Sequence, residues 1–132
     1  MAIIKTEYRA PFLYRNRHFA TIIPSLYREI NVSYERKRLE LPDGDFLDID
    51  WLGRSRDKII VLTHGLEGNS QRHYITAIAR YFYARGWGVA AWNCRSCSGE
   101  MNRLPRLYSH IDGPDLAEVV DYVTSLKKKT IA

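Results

Sequence analysis

In FLDIDWL, residues 46–52, Leu47, Ile49 and Trp51 alternate with Asp48 and Asp50, a period of two that predicts a strand with one core face and one wet face. SYERKRLEL (33–41) and the turn PDGD (42–45) precede it, so the pair reads as a hairpin. KIIVLT (58–63) is β-branched and unbroken by polar residues, as expected of a strand buried on both faces. The period then changes to 3.6. In RHYITAIARYFYARG, Ile75, Ile78, Ala79 and Phe82 share one helical stripe, with Ser70 placed to cap its start and Gly86 at C′. WGVAAWN (87–93) is a second buried strand. Pro114 opens a further helix with Leu116, Val119, Val120 and Val123 on one face and Lys127 to Lys129 at its negative dipole end. TIA, at 130–132, starts another strand.

Hairpin, strand, helix, strand, helix and the start of a strand imply right-handed crossovers. The expected class is α/β: a mostly parallel sheet with an antiparallel N-terminal hairpin and helices on both faces. Residues 1–32 mix aromatic and basic side chains with two prolines and show no clean period, so they read as an N-terminal extension wrapped on something else. Residues 33–132 read as the first half of a core cut short, because a strand that stops after its first residues leaves unpaired backbone at a sheet edge. Such an edge is also a surface for self-association.

Composition narrows the classes. A chain of 132 residues, 45% apolar, has material for one ordinary core. The net charge of +5 is spread without a dense block, which favours a solvated surface over a nucleic-acid interface. No apolar run approaches the roughly 18 residues of a membrane span, and MAIIKTEYRAPF lacks the core of a secretion signal, so the expectation is a cytoplasmic protein. Cys94 and Cys97 form a CxxC, but a zinc site needs two more ligands at comparable spacing, and SGEMNRLPR does not begin a helix that would activate a thiolate. No metal and no cofactor are expected.

The loop after the first buried strand, in VLTHGLEGNS (61–70), fits neither GxGxxG nor GxxxxGK[ST]. Gly65 and Gly68, bracketing Leu66 and Glu67, allow a bend that aims a backbone N–H into a cavity, where it could hold a developing oxyanion. HGLEGNSQRHY, RGWGVAAWNCRSCSGEMNRLPRLYSH, LELPDGDFLDIDWLG and FLYRNRHFATIIPSLYR together resemble the YheT-like esterases of the α/β-hydrolase superfamily, in the same order and over nearly the whole chain. The resemblance implies a serine hydrolase of carboxylic esters, with lipid-like esters suggested by the aromatic N-terminal stretch. It makes His64, Gly65, Leu66, Glu67 and Gly68 the oxyanion loop, Leu66 donating its N–H, and it makes Cys97, Ser98, Gly99 and Glu100 a rim of the site. Two departures stand out: Ser96 occupies a position where the family has glycine, and SHIDG follows where the family often has HSG.

The family's nucleophile sits in GxSxG, and its acid and base follow it in the chain. No GxSxG occurs in these residues. The resemblance therefore implies that the Ser, Asp and His of the triad are all absent from residues 1–132, and the chain alone is expected to be inactive. Ser98 and His110 are the nearest substitutes, but nothing in their spacing enforces a triad. His64 reads as a hydrogen-bonded turn residue and His73 as a surface one. The alternative class is a non-catalytic binding module that uses the basic N-terminal half.

Overall fold

Cross-strand charge pairing organises the hairpin. The computed structural model describes residues 7–27, 30–109 and 113–132, with β1 at Glu35–Glu40 and β2 at Phe46–Leu52. Their antiparallel register sets Arg36 opposite Asp50 and Arg38 opposite Asp48, and both arginines grip their partners with two nitrogens at 2.7–3.1 Å. The face expected to be wet is therefore covered: Asp48 is 2% exposed and Asp50 1%. Opposite charges directly across a strand pair attract, and here the guanidinium groups replace the water that the alternation alone would assign to those carboxylates.

The remaining elements are β3 (Lys58–Thr63), α2 (His73–Ala84), β4 (Gly88–Asn93), α3 (Gly113–Ser125) and β5 (Thr130–Ile131), following α1 at Arg17–Tyr27. The strands lie in the order β1-β2-β4-β3-β5. Pairs β1/β2 and β2/β4 are antiparallel and β4/β3 and β3/β5 are parallel, so β2 alone runs against the others. The crossovers put one helix on each face. Val119 and Val123 of α3 pack on Leu47, Ile49, Trp51, Ile59 and Trp92, whereas Ile75 and Ala79 of α2 pack on Leu62, Val89 and Ala91. Each of the larger buried aliphatic side chains contributes about 1.5–3 kcal/mol. β4 is buried at every position, as its sequence predicts, but β3 keeps Ile60 and Val61 only half-buried.

The helical stripes are narrower than their sequence periods. Ile78 is 40% exposed and Leu116 and Val120 are each 38% exposed, while Thr76 and Asp115 take buried positions. Ser70 does not cap α2. Arg72 is the N-cap, with no side-chain cap bond, and Ser70 instead donates its hydroxyl to Asp50 at 2.5 Å. At the other end Gly86, at φ +87, lets the Gly86 and Trp87 amides fold back on the Tyr83 and Phe82 carbonyls, the predicted C′ role. Beyond α3, Lys128 donates to the Arg54 carbonyl and Lys129 pairs with Asp57, so these cations tie down the loop after β2 instead of facing the helix end.

Within the N-terminal extension the structure finds regularity that the sequence period hid. Phe12–Arg15 is a 3-10 turn and α1 follows it, with the Asn16 side chain accepting the His18 N–H and Pro24 inside the helix. Phe12, Leu13, Phe19 and Ile22 are exposed, and among the described residues none of this segment belongs to either core cluster.

Candidate oxyanion loop and its surroundings

The parallel strands β3 and β4 both end, at their carboxyl termini, where open α/β sheets place ligands. A cavity of about 180 Å³ lies there, lined by Thr63, His64, Trp92, Cys94, Tyr108 and Leu116 among others. Two larger and more open grooves, about 570 and 650 Å³, sit at the amino ends of the same strands, around Arg54 and around Arg56 and Tyr83. Of the HGLEG loop, His64 lines the smaller cavity.

His64 staples this loop to β4. Its Nε2 accepts the Cys94 N–H at 3.0 Å, so the ring is neutral and its proton is on Nδ1, donated to the Gly65 carbonyl at 2.7 Å. The Gly68 N–H reaches that same carbonyl at 3.0 Å. Two donors therefore fix the direction of the Gly65 C=O. Because a trans peptide is planar with C=O and N–H pointing opposite ways, they also fix the Leu66 N–H, which faces away from both. The flanking amides are occupied: Gly65 N–H donates to Tyr74 Oη at 2.7 Å and Glu67 N–H donates to Tyr108 Oη. Among the described residues the Leu66 N–H has no hydrogen-bond partner.

Glycine is needed most at position 68. A Cβ there would lie 2.9 Å from the Gly65 oxygen and 3.1 Å from His64 Nδ1, closer than side chains tolerate, whereas a Cβ on Gly65 would meet only Tyr74 Oη, at 3.4 Å. Glu67 takes the left-handed conformation, φ +50, that a non-glycine residue adopts at a cost of about 1–2 kcal/mol.

Burial depresses the His64 pKa below its usual 6.5, with the Gly65 carbonyl opposing and Arg72 reinforcing the shift. The unfolded chain thus binds the proton more tightly, so the stability that neutral His64 contributes is complete above pH 6.5 and is lost as pH falls from 6.5 through the lower folded value. Unfolding free energy measured across this window should fall with pH more steeply for the wild type than for His64→Gln. Equal slopes would show that His64 does not titrate with folding.

The CSGE residues are held differently from one another. Cys97 donates its N–H to the Cys94 carbonyl, and burial raises its thiol pKa against a hydrogen bond with Tyr108. Ser98 gives its carbonyl to Arg36, Gly99 turns at φ +96, and the Glu100 carboxylate binds Arg38 at 2.6 Å. Thus Cys97 joins the Tyr108 side of the loop, and Ser98 to Glu100 are roped to the hairpin, none of the four lining the 180 Å³ cavity. Ser96, where the family pattern has glycine, adopts φ +60 and exchanges hydrogen bonds with Asn102, its N–H to Asn102 Oδ1 and its Oγ from the Asn102 N–H. His110 lies outside the described residues, and Ser98, whose carbonyl accepts from Arg36, has no histidine among the described residues bonded to it. Among the described residues no cluster of His, Cys, Asp or Glu has the makings of a metal site. No helix of the described residues is long and apolar enough to cross a membrane.

A buried ion cluster stands behind the site. Arg95, immediately after β4 and 2% exposed, binds Asp115 of α3 through two nitrogens, Asp45 at 2.8 Å and Asp43 at 2.8 Å. Burial alone would raise the Asp45 carboxyl; hydrogen bonds from Asn102, the Arg103 and Phe46 amides and Arg95 outweigh it and hold it at about 2. Asn93 and Ser70 close the second buried carboxylate, Asp50, by way of the Asn93 side-chain amide and the Ser70 hydroxyl. Sequence reasoning passed over Tyr74, Tyr108, Asn93 and Arg95. The only signal for Tyr74 was a phenol in the first turn of α2, off the apolar stripe.

The chain is 36% identical over 101 residues to the Escherichia coli K12 protein named "Putative esterase YheT", a match covering 72% of this chain and 29% of that one. It is 25% identical over 133 residues to human phospholipase ABHD3, covering 94% of this chain and 32% of that one. Its fold superposes on the Pyrococcus furiosus esterase Pf2001 with a TM-score of 0.58 at 20% identity, over 75% of this chain and 39% of that one. The chain has the fold of the N-terminal part of an α/β hydrolase and is similar in sequence to the YheT-like branch of that superfamily. No family model matches it. The chain spans about a third of the length of the curated relatives it matches. Its observed strand order and the helices on opposite faces are those of the expected class.

Proposed function

We propose that these residues form the oxyanion-loop part of a carboxylic ester hydrolase, residues 33–132 making the first half of its core. The observation that carries the reading is the Leu66 N–H, unpartnered among the described residues and aimed by a carbonyl that two donors hold. An N–H preset in this way stabilises the negative charge that develops on an ester's carbonyl oxygen as a nucleophile adds, and needs no reorganisation at that moment. In this reading His64, Gly65, Glu67 and Gly68 shape the turn, and Cys97 borders it through Tyr108. The serine nucleophile, its acid and its base come from sequence outside these residues, since no GxSxG occurs within them.

Lipid-like esters fit the reading, supported by a phospholipase among the relatives and by the exposed Phe12, Leu13, Phe19 and Ile22. Those same side chains, with Arg9, Arg15 and Arg17, favour the second reading, a non-catalytic module that binds through this segment.

A fluorophosphonate probe separates the two. Residues 1–132 alone should remain unlabelled and should not hydrolyse short-chain aryl esters, and the complete protein containing them should do both. Labelling of the 132-residue chain that Ser98→Ala abolishes would overturn the assignment of the nucleophile, and a complete protein inert to probe and ester would favour the binding module.

A further inference from the structure

We propose that Tyr74 and Tyr108 are positioning residues of the oxyanion loop, their phenol oxygens occupying the amides on either side of Leu66 so that the Leu66 N–H alone is left for substrate. The inference rests on the reading of Leu66 as the oxyanion donor.

The loop presents three successive N–H groups, those of Gly65, Leu66 and Glu67. A loop rich in glycine can rotate its peptide planes at little cost, and a rotation that turned the middle N–H away would abolish the site. Each outer N–H is instead bound to a phenol: Gly65 to Tyr74 at 2.7 Å, Glu67 to Tyr108. The two rings arrive from separate elements. Tyr74 stands on the first turn of α2, and Tyr108 comes from the segment before α3, so movement of the loop as a whole is resisted from both sides. Each ring is braced by a histidine, Tyr74 edge-on to His73 at 5.7 Å and Tyr108 edge-on to His64 at 6.4 Å. The Gly65 carbonyl, held by His64 and Gly68, supplies the remaining constraint.

A tyrosine suits this role where an acidic side chain would not. Its hydroxyl oxygen accepts a backbone N–H without placing a carboxylate beside the position where an oxyanion forms. Phenylalanine keeps the ring and removes only the acceptor, so Tyr74→Phe and Tyr108→Phe are narrow probes of the two hydrogen bonds.

The test uses the complete protein that contains these residues, assayed on a short-chain aryl ester, with the Leu66 backbone N–H removed by an amide-to-ester replacement as the reference. The expected result is a fall in kcat of about 5–10-fold for each phenylalanine variant with KM nearly unchanged, and no such fall when the Leu66 N–H is already absent. Amide hydrogen exchange in the same variants should accelerate at Gly65 in Tyr74→Phe and at Glu67 in Tyr108→Phe. If the Leu66 replacement lowers kcat while both tyrosine variants stay within twofold of wild type, the positioning role is overturned and the oxyanion donor stands. If the tyrosine variants lower kcat equally with and without the Leu66 N–H, they act on packing elsewhere and the role is again overturned. If the Leu66 replacement leaves kcat unchanged, the oxyanion reading itself fails and the positioning role with it.

Discussion

Replacing Arg95 by leucine is expected to lower the unfolding free energy at neutral pH by about 3–5 kcal/mol, the cost of breaking a buried ion cluster from one side. Asp45 and Asp115 are 0% and 3% exposed, and leucine would leave both carboxylates in place, with the half-exposed Arg106 guanidinium 3.9 Å from Asp115 in place of the direct Arg95 contacts. The pH dependence identifies the cause. In the wild type the Asp45 carboxyl is depressed to about 2, so its contribution is complete above the ordinary carboxylate value of 3.8 and is lost as pH falls from 3.8 to about 2. Without Arg95 that depression shrinks, and the two proteins should converge in stability as acid protonates the carboxylates. Arg95→Lys should recover only part of the loss, because one ammonium cannot reproduce three nitrogens directed at three carboxylates. Urea unfolding at neutral and acidic pH measures all of this; a deficit below about 1 kcal/mol at pH 7, in the range of a solvated surface pair, would show that water already screens the cluster.

The second large effect concerns rate. On the proposed function, Gly68→Ala in the complete protein should reduce kcat by about 10²–10³-fold with little change in KM, comparable to deleting one oxyanion donor. The added Cβ would press within 2.9 Å of the Gly65 oxygen, and the peptide can relieve that contact by rotating, which swings the Leu66 N–H with it. Gly65→Ala, whose Cβ has only an ordinary 3.4 Å contact with Tyr74 Oη, should cost far less. Circular dichroism and thermal unfolding distinguish a turned peptide from a collapsed fold. Equal losses at the two glycines would show that conformational freedom, rather than the contact with the Gly65 oxygen, is what the loop requires.

The sequence motif nominates both glycines equally. Their difference appears only when His64 and the Gly65 carbonyl are seen folded back over Gly68, a contact between residues that the spacing of HGLEG leaves undetermined. Ser96 is a similar case. A missing glycine reads as a threat to the turn, yet Asn102, six residues on, accepts the Ser96 N–H on its side-chain oxygen and donates its own N–H to Ser96 Oγ, holding Ser96 in the left-handed region.

What the sequence by itself determined was the order of elements from β1 onward, the burial of β4, the C′ glycine of α2, the hairpin and the position of the loop at a strand's carboxyl end. Each follows from periodicity or from the backbone freedom of single residues, which are properties of neighbours in the chain. Tertiary structure alone decided that Asp48 and Asp50 are buried, that Ser70 serves Asp50 instead of α2, and that Arg95 gathers three aspartates. It also decided that Tyr74 and Tyr108 meet the amides around Leu66. A polar side chain is buried only where a partner from another element arrives to replace its water, and that partner is chosen by how the sheet and helices pack, over separations along the chain that no local pattern records.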